Sequence, residues 1–272
     1  MHSNRKLSLE AIFITVQAVL YAGFLTLDLT VTSIALSVTI KYSIVLLCFC
    51  YALLRAGKST FCLRQMKRHA VSSCLLQAAL FFTVISDLFI LILDYYIYGV
   101  LTFIVTQELY NLRLVILLSK KEKTEASAAD CRRIIGTAFL KRILLQITIA
   151  IAVCLLLKSA GVTLDGLLIV SVFYFICISS NVISSFALLR QKPGAKGNLI
   201  YAIGMLLFLL CDINVGLFNL SAFIPMQEKI YSILYSASTI LMWAFYAPAQ
   251  TLIAISSKYE EDRRLDNTNK KI

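Results

Sequence analysis

Residues 80–110 read LFFTVISDLFILILDYYIYGVLTFIVTQELY, an apolar run with one acid, Asp87, well inside its first half. A run this long and this apolar belongs in a lipid bilayer, where a charged side chain at helix centre costs about 2.5–3.5 kcal/mol. Such a residue faces protein or water and marks a candidate functional site. A second acid, Asp212, stands in a similar setting, LLFLLCDINVGLF, far along the chain.

The rest of the chain carries the same signature. Of its 272 residues 59% are hydrophobic, the mean hydropathy is +0.82, and there are three prolines. That excludes an ordinary soluble globular domain and predicts an all-α, polytopic membrane protein. The basic start, Arg5 and Lys6, leads into a stretch without a small-residue cleavage site, so it is read as a first transmembrane helix and not as a signal peptide. Cys48, Cys50, Cys74, Cys154, Cys177 and Cys211 lie in apolar runs without paired CxxC spacing, and are read as small buried hydrophobes.

Dividing the chain into segments of about 20 apolar residues predicts eight helices. They are placed at 9–27, 33–54, 71–93, 96–118, 139–157, 164–189, 198–220 and 231–256. Residues 1–257 form the transmembrane domain and 258–272, KYEEDRRLDNTNKKI, a flexible cytoplasmic tail. Lys and Arg test this division. They collect at the N-terminus, in the connections after helices two, four and six, and in the tail, whereas the other side carries only Lys158 and Lys229. The asymmetry predicts a multi-pass protein of the cell membrane with both termini cytoplasmic. It also assigns the net charge of +11 to topology and attraction for anionic membrane lipids, not to nucleic-acid binding.

With this topology, helices three and seven run in the same direction and bring Asp87 and Asp212 to similar depth. The aromatic-aliphatic runs before both acids suggest a four-plus-four parallel repeat with a site between the halves. Lys41, in helix two, comes at comparable depth. Two readings stand for it: a counter-charge that keeps one aspartate ionised and leaves the other to carry a proton, or a lysine snorkelling to the interface. Glu108 and Arg113 are read as a structural pair, Gln146 and Asn181 as further intramembrane polar groups, and Tyr95, Tyr96, Tyr98, Tyr231 and Tyr235 as interfacial belt residues. The chain has no GxSxG, P-loop, HExxH or GxGxxG motif, and both histidines, His2 and His69, lie in polar segments.

Several stretches in order, ISDLFILI with Gly99, Phe103 and Tyr110, then LLFLLCDINVGLF, then FYAPAQTLIAIS, resemble the YhhN family of membrane proteins, the lysoplasmalogenase or TMEM86-like family. The resemblance runs from helix two onward. The family pattern carries a Gly-Asp in helix three, Gly-x-x-x-Phe-x-x-x-His-x-x-Tyr in helix four, Ser-Asp in helix seven and Tyr-x-x-x-Gln in helix eight. This chain keeps Asp87, Gly99, Phe103, Tyr110, Asp212, Tyr246 and Gln250, and departs from it at Ser86, Gln107 and Cys211; a common Lys-Pro reads Lys41-Tyr42.

The resemblance implies hydrolysis of the vinyl ether bond of a lysoplasmalogen to a fatty aldehyde and a glycerophospho-headgroup. Asp87 and Asp212 would be catalytic, Lys41, Gln107, Tyr110, Tyr246 and Gln250 would bind substrate, and no metal or cofactor would be needed. The substrate partner would be a lysophospholipid or other amphiphilic lipid. A vinyl ether suits two carboxylates, since protonation at carbon gives an oxocarbenium ion that water captures. The competing class is a non-enzymatic membrane protein, either a proton-coupled carrier of amphiphiles or a lipid-binding relative without activity. A third reading makes both acids structural hydrogen-bonding groups between helices.

Overall fold

The computed structural model describes residues 2–30, 32–56, 68–119, 128–191, 194–222 and 227–269. The basic connections expected at 57–67 and 120–127 lie outside them. The described residues form α1 (His2–Thr30), α2 (Ile34–Ala56), α3 (Arg68–Asp87), α4 (Tyr96–Leu118), α5 (Ala128–Ser159), α6 (Gly166–Gln191), α7 (Lys196–Phe218) and α8 (Glu228–Asn269). All eight contain a stretch long and apolar enough to cross a membrane. The protein is thus all-helical and multi-pass, as expected. Lipid offers backbone groups no partner, and a helix satisfies them within itself.

Four boundaries differ from the sequence reading. α1 continues to Thr30 and so includes Asp28. α3 gives way at Asp87 to a π-helical turn, Leu88–Ile92, and the chain reverses through Asp94, whose φ is +56°. α5 starts at Ala128 and carries Lys141 and Arg142 inside the helix. Both are good helix formers, and charge interrupts an apolar window without interrupting a helix. α8 runs on to Asn269, so most of the expected tail is helical; its Lys, Glu and Arg residues also favour helix.

α2, α3, α4, α6, α7 and α8 pack around one core, with Leu80, Phe103, Tyr110, Ile178, Tyr201 and Phe208 among its buried residues. α5 lies outside against α6 and α4, and α1 lies against α2 and α8. Two glycines allow the closest approaches. A Cβ on Gly99 would overlap Ile90 Cγ1, and one on Gly204 would come within 2.9 Å of Ile253 Cγ1 and 3.2 Å of the Ala249 carbonyl oxygen. Small residues at such points let transmembrane backbones meet.

Pro248 sits inside α8. It has no N–H, so the carbonyl four residues earlier, that of Ala244, loses its helical donor. The Tyr21 hydroxyl of α1 supplies one at 3.2 Å. A freed carbonyl in the membrane needs such a partner, and here the partner also seats α1 on α8.

Candidate functional site

Asp87 stands five residues before the end of its span at Ile92, and Asp212 six before Phe218. At 1.5 Å per residue both lie about 7–9 Å in from the end of the bundle opposite the basic connections. Asp87 is the last residue of α3 before the π turn, a distortion that often accompanies functional sites. The turn is wedged where Ile90 meets Gly99 of α4.

Each aspartate accepts a hydrogen bond from one tyrosine. Tyr246 of α8 donates to Asp87 Oδ2 at 2.7 Å, and Tyr174 of α6 donates to Asp212 Oδ2 at 2.8 Å. Asp87 is buried, while Asp212 is half-buried. The two carboxylates are within electrostatic reach of each other. Phe103 joins the pairs: its ring centroid is 5.8 Å from that of Tyr174, 6.4 Å from that of Tyr246 and 5.9 Å from that of Phe208. The tyrosines come from α8 and α6, helices that a four-plus-four repeat would not place as equivalents around α3 and α7. These contacts therefore lend the expected repeat no support.

Gly99, Phe103, Gln107 and Tyr110 are all buried on α4. Steps of four, four and three residues put them on one helix face. Gln107 lies beside the Tyr174 hydroxyl. Its backbone oxygen and Oε1 both accept from Asn181 Nδ2, at 2.7 and 3.0 Å, while Nε2 makes no well-formed hydrogen bond. Gln250, one turn along α8 from Tyr246, is fully buried with both amide atoms unpartnered. Tyr110 lies a further turn along α4 with its ring against Tyr201 at 6.0 Å. Buried polar atoms without partners are uncommon in native folds; Gln107 stands beside the tyrosine that holds Asp212, and Gln250 one turn from the tyrosine that holds Asp87.

Lys41 does not take up either aspartate. Its Nζ is 2.7 Å from Oδ2 of Asp28, an α1 residue that the shorter predicted helix left out. Lys41 nonetheless stays near the site: its ammonium faces the Trp243 ring, 5.1 Å from the centroid, and that ring packs edge-on against Tyr246 at 5.2 Å. The expected Glu108–Arg113 pair is also replaced. Five residues along a helix is a rotation of about 140°, so the two side chains leave on different faces. Glu108 Oε2 accepts from Asn111 at 2.8 Å, and Arg113 donates to Ser72 Oγ at 3.2 Å while lying over the Tyr201 ring.

Tyr174 and Asp28 are the site neighbours that sequence reasoning missed. Tyr174 lies mid-helix, away from the interfacial belt where tyrosine is common, and that depth was the available signal. For Asp28 the signal was an acid one residue beyond an assumed boundary. A separate open groove lies at the basic end of α4 and α5, lined by Val115, Leu118, Ser119, Ala138, Lys141, Arg142 and Leu145. It is remote from the carboxylates. Among the described residues no three His, Cys, Asp or Glu side chains form a group able to hold a metal.

The fold and site thus define a multi-pass membrane protein with two intramembrane carboxylates, each held by a tyrosine, around an aromatic centre. The model of the YhhN family matches residues 36–257, most of the chain, and the protein belongs to that family. No curated protein and no solved structure matches it. The matched residues begin inside α2, so α1 with Asp28 lies outside them.

Proposed function

We propose that the protein hydrolyses the vinyl ether bond of a lysoplasmalogen, with Asp87 and Asp212 as the catalytic pair. The observation that carries the reading is the pair itself: two carboxylates at similar depth, each accepting one hydroxyl from a tyrosine whose ring meets Phe103. One aspartate, protonated, gives its proton to the β-carbon of the vinyl ether. The oxocarbenium ion that forms is stabilised by the other, ionised aspartate. Water adds to the α-carbon and leaves its proton on that carboxylate. The resulting hemiacetal collapses to a fatty aldehyde and the glycerol hydroxyl, and proton exchange restores the pair.

Gln107 occupies the position of the family pattern's histidine and offers hydrogen bonds but no transferable proton, so the proton steps fall to the carboxylates. Gln107, Gln250, Tyr110 and Tyr246 surround the reacting end of the lipid. The protein works in the cell membrane, with both termini and the basic connections in the cytoplasm.

The test is aldehyde release from a lysoplasmalogen by the purified protein in detergent. The wild type releases aldehyde, and Asp87→Asn and Asp212→Asn each abolish release while still eluting as folded protein. Absence of release from any lyso-ether lipid by the wild type, with proton flux in liposomes, would replace the hydrolase with a proton-coupled carrier.

A further inference from the structure

Asp28 and Lys41 form an ion pair that reaches Asp87 through Trp243 and Tyr246. Lys41 lies seven residues into α2, about 10 Å in from the end opposite the basic connections, close to the depth of Asp87. The Lys41 and Asp28 side chains are 10% and 13% exposed and 2.7 Å apart. Two aromatic faces, Trp243 at 5.1 Å and Phe24 at 5.7 Å, flank the ammonium. Asp28 Oδ1 accepts from Ser37 Oγ at 2.5 Å. An ammonium so withdrawn from water needs an anion, and the two ring faces add cation–π attraction.

The site also has a direction. Trp243 packs against Tyr246, which donates to Asp87, and Tyr42, next to Lys41, is within electrostatic reach of Asp87. An anion on Lys41 is therefore separated from Asp87 by only two side chains. A lysophospholipid has this arrangement, a phosphate joined by a short glycerol bridge to the bond being cut. Asp28 closes the site from α1, the helix outside the family-matched residues, two residues from that helix's end at Thr30.

We propose that Lys41 receives the phosphate of the lipid substrate and that Asp28 is its internal stand-in. The Asp28 carboxylate holds the ammonium until the phosphate takes it, then turns from the helix end toward the headgroup layer. One anion replaces another, so no lone charge is left buried during exchange. Lysine is suited to this, because it holds phosphate as a point charge without demanding a fixed fork geometry. Asp28 thereby sets how strongly phosphate-bearing amphiphiles are preferred over uncharged ones. This assignment rests on the lipid-substrate reading above.

Trp243 is the chain's single tryptophan, so its fluorescence reports directly on this site. Saturated 1-O-alkyl lysophosphatidylethanolamine, 1-O-alkylglycerol without phosphate, and inorganic phosphate are titrated into the purified full chain. None of them can be hydrolysed at a vinyl ether, so binding is read apart from activity. The wild type is expected to bind the lysolipid about tenfold more tightly than the alkylglycerol. Asp28→Asn should tighten the lysolipid by a further factor of about five and leave the alkylglycerol within about twofold. Lys41→Met should remove the preference. Because Lys41→Met leaves Asp28 without a cation, the double variant Asp28→Asn/Lys41→Met, which keeps neither charge, serves if the single variant does not fold; it must show no preference.

The proposal is overturned if Asp28→Asn shifts both amphiphiles alike, or if the preference survives loss of Lys41. It is also overturned as a lipid site if inorganic phosphate saturates Asp28→Asn as tightly as the lysolipid does. A Lys41-dependent preference in a protein that releases no aldehyde would refute the hydrolase and leave the phosphate site standing.

Discussion

The hydroxyls of Tyr246 and Tyr174 are the only direct side-chain hydrogen bonds that the described residues give to the two aspartates. Replacing either tyrosine with phenylalanine removes one bond to a carboxylate and keeps the ring, so the contacts with Phe103 persist. A hydrogen bond to a charged group contributes about 1.5–3 kcal/mol and one to a neutral group about 0.5–1.5, so among Tyr246→Phe and Tyr174→Phe the one at the ionised aspartate is predicted to lower kcat roughly 10- to 100-fold and the one at the protonated aspartate about 2- to 10-fold. Steady-state aldehyde release on lysoplasmalogen checks this. A loss confined to KM would make the hydroxyls substrate contacts and not carboxylate holders. At this scale the sequence showed the acids, because a lone Asp in an apolar run is conspicuous, and the family pattern added Tyr246. It marked Tyr174 only by depth and could not show its partner, because one tyrosine among 13 carries no local sign of what it meets.

Among elements, the junction of α3 and α4 positions Asp87. The π turn Leu88–Ile92 follows the aspartate directly, and Ile90 from that turn occupies the space that a side chain at Gly99 would need. Gly99→Ala is expected to destabilise the protein by about 1–3 kcal/mol, the usual range for overpacking, in equilibrium unfolding in mixed micelles. Adding Ile90→Ala to it should recover part of that loss, since it removes the Cγ1 and Cδ1 atoms nearest the new Cβ. Simple additivity of the two losses would show that the clash is not the cause. The family pattern singled out Gly99, but the reason for a glycine there appeared only with the turn. The same holds for Pro248. Its missing N–H is evident in the sequence, whereas the answering hydroxyl from Tyr21, more than two hundred residues away, is a matter of packing.

For the whole molecule, the eight candidate spans among the described residues, an even number, predict that both ends of the bundle's chain lie on one side of the membrane. The excess of Lys and Arg in the connections on that side predicts that it faces the cytoplasm. Reporter fusions after residue 269 and within 219–227 should show cytoplasmic and external locations respectively; the reverse result would invert the side from which Asp28 and Lys41 meet lipid. The helical class, the number of spans and the two deep aspartates were determined by the sequence alone, because the bilayer imposes a length and an apolar composition that each segment must meet by itself. Which polar groups meet was decided only by the tertiary structure. Lys41 found Asp28 instead of Asp87 or Asp212, Glu108 and Arg113 turned to different neighbours, and Asp212 found Tyr174. Depth along a helix follows from counting residues, but the face a side chain presents to another helix depends on rotation and crossing, which apolar runs of nearly uniform composition do not encode locally. The acid inside residues 80–110 is visible in the sequence; the tyrosine that holds it is brought there by the fold.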